Sequence, residues 1–442
     1  MTATDQKPSG ELEAYLAAFE EFSGAADTPA WLADLRRNGI THFTELGFPT
    51  LKQEDWVFTN VKPIQELSFI PATAPGNAAI DIEGFKFKGL TGPRLVFVDG
   101  HLSHTLSEIS ELPEGVVVSN LASEIEARSD LIGKHLGHYA KTDESGFSAL
   151  NTAFIQDGAF IFMPKGAVLE EPIHLLYIST DGDTNTTNLR NLIVAEPMSQ
   201  CKVIESYCSA GDQAVFTNVV TEIVVEESAR VEHCKFQELN QESFHVATIQ
   251  AHLAKSAHFT SYSISTGARI ARNNINMVMA GEGIECILNG LYIVGDRQVV
   301  DHHTLADHAM PHCDSHEYYH GILGGKSRGI FNGKIFVRQD AQKTDAKQSS
   351  RTILLSDEAT LHTKPQLEIY ADDVKCTHGA TVGQLNREAI FYFRSRGIDE
   401  LNARRMLTHA FASEVIDRIS IEPVREHLES IIWNRLEELI ED

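Results

Sequence analysis

Cys376 and His378 stand one residue apart in the stretch 367–383, LEIYADDVKCTHGATVG. On a β-strand, residues i and i+2 point to the same face. A thiolate and an imidazole would then lie side by side, and both bind soft or borderline metal ions. Gly379 and Gly383 follow closely and loosen the backbone beside the pair. The same two residues also fit a bland role, a buried Cys acting as a small hydrophobe and a His bonded to a backbone carbonyl. A lone Cys-x-His does not decide between them.

A second cluster lies upstream: His302, His303, His308, His312, Cys313, His316 and His320. Within it, His316-Glu317-Tyr318-Tyr319-His320 matches H-E-x-x-H, the zinc-hydrolase signature, which needs a helix to bring both His to one face. Pro311 precedes it, and Gly321, Gly324 and Gly325 follow, which favours strands. On a strand the two His would be about 13 Å apart, too far to share one zinc. His312, Cys313, His316 and His320 stay as candidates for a looser metal site. Gly321–Ser327, GILGGKS, lacks the leading Gly of a phosphate loop and a helix after it. No nucleotide site and no G-x-S-x-G elbow is read anywhere in the chain.

The elements that would carry these residues follow from periodicity. Leu12, Leu16 and Phe19 mark a helix over 9–22. Thr28-Pro29 reads as an N-cap and first helical residue, and Asn38-Gly39 as that helix's stop. PATAPGNAA, 71–79, is a composition break and a boundary. From residue 94 the period becomes two, with a hairpin turn at Asp99-Gly100 and short helices near 120–140. Alternating apolar runs then recur, broken at Lys165-Gly166, Met198-Ser199, Glu227-Ser228, Lys255-Ser256 and Gly281–Gly283, a spacing of roughly 28 residues that points to stacked coils of a β-solenoid. After Val382 the pattern is helical again, with Ala403, Leu407, Phe411, Val415 and Ile419 four apart, then Leu428, Ile432 and Leu436. The expected fold is mainly β with helical ends: an N-terminal helical region over 1–90, a β-helix core over 91–383 and a C-terminal helical region over 384–442.

Composition narrows the class. The 442 residues carry 62 acidic and 37 basic side chains, a net charge of −25, which repels nucleic acid and anionic membrane and favours basic partners. The start lacks a signal-peptide pattern, no apolar run has the length of a membrane span, and the six cysteines show no framework spacing. Free thiols in a reducing, cytoplasmic compartment are expected.

Several stretches together resemble the SufB/SufD family of iron–sulfur cluster assembly proteins, and its SufD branch in particular. These are GFPTLKQEDWVFT (47–59), FSALNTAFIQDGAFIFMPKGAVLEEP (147–172), the stretches 319–337, 341–356 and 359–382, and YFRSRGI (392–398). The resemblance covers nearly the whole chain. It implies a right-handed parallel β-helix between helical ends and a non-catalytic scaffold in the SUF complex. It implies a SufB partner through the β-helix and a SufC ATPase on the C-terminal helices; for the isolated chain, homodimer and heterocomplex both stay open. On this resemblance Cys376 and His378 match the family's cluster or metal contacts at the SufB interface. Arg394, Arg396, Arg404, Leu407 and Phe411 fall in the SufC-binding region. A transient cluster or iron shared with SufB, and reduced flavin in the complex, complete what it implies. Two readings from other classes remain beside it: a zinc hydrolase using His316, Glu317 and His320, and a structural β-solenoid with no metal role.

Overall fold

The structure, a computed structural model, describes residues 10–24, 28–67, 80–109, 111–182 and 186–441. The boundary expected over 71–79 lies outside them.

Two sheets form a flattened solenoid. One runs from Lys375–Gly383 through Asp345–Leu354, Asp314–Leu323, Glu285–Val294, His258–Ser265, Arg230–Glu238, Gln200–Ser209 and Ile173–Ser179 to Arg94–Val98 and His101–Leu102. The other runs from Thr360–Ile369 through Arg328–Val337, Val299–His308, Ile270–Met279, Phe244–Leu253, Phe216–Val225, Thr186–Ala195 and Ala159–Met163 to Val117–Asn120. Successive coils pair in parallel register, for example Gln348 with His378 and Glu317 with Gln348. The expected β-solenoid with helical ends is what the chain forms.

The regular breaks are corners, and the backbone says why they recur. Gly166, Met198, Ser228, Ser256, Gly283, His312 and Lys343 all have φ between 55° and 74°. Each donates its N–H to a carbonyl in the next corner: Met198 to Glu227 at 3.0 Å, Ser228 to Lys255 at 3.0 Å, Ser256 to Glu282 at 2.8 Å, His312 to Gln342 at 2.9 Å. A left-handed residue costs a non-glycine about 1–2 kcal/mol, and the corner bond offsets that. Asp99 and Gly100, at φ 49° and 86°, make the hairpin turn that the sequence announces.

The two ends of the solenoid differ. At the N-terminal end the antiparallel hairpin and the antiparallel strand Val117–Asn120 close the sheets. The helices α1 (Gly10–Gly24), α2 (Ala30–Leu46), α3 (Lys62–Glu66), α4 (Leu121–Ala127), α5 (Ser129–His135) and α6 (Gly146–Ala153) gather there. A buried ion pair, Arg190–Glu222 at 2.7 Å, fastens them. Glu222 also accepts backbone N–H bonds from Gly137, Tyr139 and Ala140. At the C-terminal end Lys375–Gly383 and Thr360–Ile369 are the terminal strands of their sheets, and neither contains a buried residue.

Helix α2 corrects one expectation. It does not stop at Gly39 but runs on to Leu46, and Pro29 is its N-cap rather than its first residue. Gly39 is where α2 crosses α6. A Cβ there would lie 2.5 Å from the Ala153 nitrogen, so the glycine serves close approach, not termination. Of the remaining helices, α8 (Glu400–Ile416) and α9 (Glu422–Glu441) pack along the outer face of the first sheet, and α7 (Arg387–Ser395) contacts α8 without burying a residue.

The solenoid interior is apolar near the corners, with Val203, Ile223, Ile249, Met277 and Ile335. Elsewhere it carries buried polar side chains. Lys235 donates to Asn273 at 2.8 Å, Glu205 accepts from Tyr207 and Thr221, and Glu317 accepts from Thr304 at 2.7 Å and Gln348 at 3.0 Å. Burial pushes the Glu317 carboxyl up to about 7, against the two bonds it accepts, and burial pulls the Lys235 amine down to about 7.

Two predictions follow from packing and burial. Gly39→Ala should lose about 1–3 kcal/mol in urea unfolding by overpacking the crossing, while Asn38→Ala beside it should not; equal effects would remove the close-approach role. Glu317 keeps its proton in the folded chain over a pH range where the unfolded chain has released it. Wild-type stability therefore falls as pH rises from about 4.5 to 7, by roughly 3 kcal/mol in all. Glu317→Gln should gain on wild type between pH 5 and pH 8; a pH-independent difference would contradict the buried neutral acid.

Candidate functional site

The site starts from the open end. Ala346, Gln348, Ser350 and Thr352 are the buried, inward residues of their strand. Their register partners are Cys376, His378, Ala380 and Val382, so Cys376 and His378 share the inner face of the last rung. Cys376 is half-buried and packs against the core cluster, whereas His378 is exposed. Among the described residues no further rung covers them.

The helical regions leave this rung free because they are fastened elsewhere. On the first sheet, Phe411 of α8 stacks on His320 with ring centroids 4.4 Å apart, and Arg404 donates to the Leu355 carbonyl at 3.1 Å. On the second sheet, Phe58 stacks on His362 at 3.9 Å and Arg272 pairs with Asp301 at 2.7 Å under Trp56.

The six cysteines divide by burial. Five are buried, and burial raises the thiols of Cys201, Cys208, Cys234, Cys286 and Cys313, which keeps them protonated and inert. Cys376 is the partly exposed one, and its thiol is raised mainly by partial desolvation. Its exposed side lets a bound cation lower that value on ligation.

The donor types suit a soft or borderline metal ion. A thiolate is soft, an imidazole borderline, and the two stand about 6.6 Å apart along the strand, close enough for their side chains to converge on one ion. Two protein donors leave the remaining positions of a tetrahedral ion for ligands from outside this chain.

The upstream histidines are not brought together. His316 and His320 lie on a strand, His316 facing outward and His320 bonded through Nδ1 to the Phe411 carbonyl at 3.0 Å. Glu317 points the other way, into the solenoid. His312 is exposed at a corner, and the Cys313 thiol turns inward to the Gly281 carbonyl at 3.2 Å. Among the described residues no group of three or more His, Cys, Asp or Glu side chains is placed to hold a metal ion. The H-E-x-x-H match thus lacks the helix that zinc hydrolysis requires: on the strand the two His share a face but stand about 13 Å apart, with Glu317 on the other side.

In the C-terminal helices, Arg394 is exposed and pairs with Glu400 at 3.2 Å, and Arg396 is exposed over Tyr392 at 5.2 Å. Leu407 is half-buried. Phe411 and Arg404 face the solenoid instead of solvent. The apolar surface that does project is Phe391, 73% exposed, and Tyr392, 58% exposed, with Leu401 and Met406. Sequence periodicity missed these four, although Phe391-Tyr392 is an aromatic pair in the middle of α7.

Two family models match the chain. One, described as the SufBD protein N-terminal region, covers residues 11–175, and one, described as the SufBD core domain of SUF system FeS cluster assembly, covers 177–411. An iron–sulfur cluster assembly SufBD family protein of Synechocystis is 31% identical over 96% of this chain and 95% of its own length. The iron–sulfur cluster assembly protein SufD of Escherichia coli is 32% identical over 88% and 90%, and the SufD of Bacillus subtilis 28% identical over 94% and 97%. The two models together span residues 11–411, and the relatives match over most of both chains: the chain belongs to the SufBD family of iron–sulfur cluster assembly proteins.

Proposed function

We propose that the chain is a non-catalytic scaffold subunit of a SUF iron–sulfur cluster assembly complex. The observation that carries the reading is the open last rung, with Cys376 and His378 on its inner face and no strand beyond it. Its unpaired N–H and C=O groups are a template for another strand. A SufB-type chain adding its own edge there would supply the missing ligands, so the cluster site would exist only in the assembled complex. An incomplete ligand set also suits a scaffold, because cargo held at an interface is released when the interface shifts. When isolated, the same edge would serve a second copy of the chain.

The C-terminal helices are the proposed seat of a SufC-type ATPase. Phe391, Tyr392, Leu401 and Met406, rimmed by Arg394 and Arg396, form an apolar centre with a polar rim. Reduced flavin is proposed for the assembled complex and for no residue of this chain. Among the described residues no helix is long and apolar enough to cross a membrane.

Co-expression with SufB and SufC partners tests the reading. His378→Ala should assemble in unchanged stoichiometry, yet the purified complex should lose iron and sulfide about tenfold or more. Unchanged iron and sulfide would reduce the rung to a structural edge, the role of a solenoid without metal.

A further inference from the structure

The rung beneath Cys376 and His378 is built around one amide. Gln348 is buried, and its Nε2 donates to Glu317 Oε2 at 3.0 Å, while Thr304 donates to the same oxygen at 2.7 Å. In this arrangement the amide nitrogen faces Glu317 and the amide oxygen points away from it. The Gln348 Oε1 left over is buried without a hydrogen-bond partner. Such an orphan acceptor costs on the order of 1–3 kcal/mol, so its retention calls for a donor. The space for this amide is made by Gly333, in the middle of a strand on the opposite sheet, where any Cβ would overlap the Gln348 side chain. Glycine weakens a strand, and close approach is what its presence serves here.

The neighbour of Gln348 in register on the same inner face is His378, one strand spacing of about 4.8 Å away. We propose that Gln348, held by Glu317 and Thr304, is a positioning residue for His378: its free carbonyl oxygen accepts the N–H of one imidazole nitrogen and leaves the other nitrogen, deprotonated, to face an incoming iron ion. The amide can only accept through that oxygen, so it selects one neutral tautomer of the ring. This rests on the proposed function only for the identity of the ion; the juxtaposition of Gln348 and His378 in register belongs to the chain itself.

The test uses the full chain labelled with 15N-histidine, His378 being assigned by its loss in His378→Ala. In wild type at pH 8 the His378 ring should show a single tautomer. In Gln348→Met, which keeps length and removes the acceptor, and in Gly333→Ala, which displaces the amide from the other sheet, it should relax to a mixture. Iron(II) affinity of the assembled complex should fall about tenfold or more in both. A tautomer mixture in wild type, or a single unchanged tautomer in folded Gln348→Met or Gly333→Ala, overturns the inference, and the wild-type spectrum alone suffices if the variants do not fold. The two readings fail separately: intact iron and sulfide in His378→Ala removes the scaffold role and leaves the tautomer result standing, whereas a cluster lost in His378→Ala with an unchanged tautomer in Gln348→Met removes only Gln348.

Discussion

Every rung of a parallel solenoid depends on the next one for half of its backbone hydrogen bonds. Along this chain the debt passes from strand to strand until residues 360–369 and 375–383, where it stops unmet. An edge of this length is an aggregation hazard unless it is covered, bent or reserved for a partner. The N-terminal end takes the first course, with antiparallel strands and α4–α6 fastened by Glu222. The C-terminal end takes none of these inside the chain. Both helical regions are anchored to outer faces, through Phe411 on His320 and Phe58 on His362, and among the described residues no strand pairs with the outer edge of the last rung. Placing the only partly exposed thiol and a histidine on that rung ties the ligand set to whatever completes the edge.

The fold was legible wherever a local rule expressed it. The corner residues Gly166, Ser228, Ser256 and Gly283 announced the coil length because small or flexible residues tolerate positive φ. His312 and Lys343 occupy equivalent corners and were not legible, since their residue types say nothing of φ and only the bonds to Gln342 and Asp373 hold them there. Gly39 misled in the opposite direction. A helix stop and a helix crossing both call for glycine, and the crossing partner lies more than a hundred residues away in the sequence.

The site was half legible. Cys376 and His378 could be found because strand alternation puts i and i+2 on one face. Gln348 and Glu317 could not, because Gln348 is set beside His378, and Glu317 beside Gln348, by inter-strand register across coils of about thirty residues, which no local pattern encodes. The one trace was Gly333 within RGIFNGKIFV, a glycine in the centre of an otherwise good strand. Phe411 was legible as part of an apolar helical stripe but not as the ring that stacks on His320, and the H-E-x-x-H match loses its meaning once alternate residues go to opposite sides of a strand. Burial is what separates the cysteines: identical residue types are inert in the interior and available at the rim.

Amide hydrogen exchange tests the central claim most directly, by comparing the dilute chain with the assembled complex. In the free chain, about half of the amides in 375–383 should exchange at nearly unprotected rates, because parallel strands bond alternate residues to each side. Residues 314–323, two rungs inward, should be strongly protected throughout. On assembly with a SufB partner the fast amides of 375–383 should slow by about a hundredfold or more while 314–323 stays unchanged. Full protection of 375–383 in the free monomer, or fast exchange persisting in an assembled complex, would show that the last rung is not the open edge on which the shared site is built.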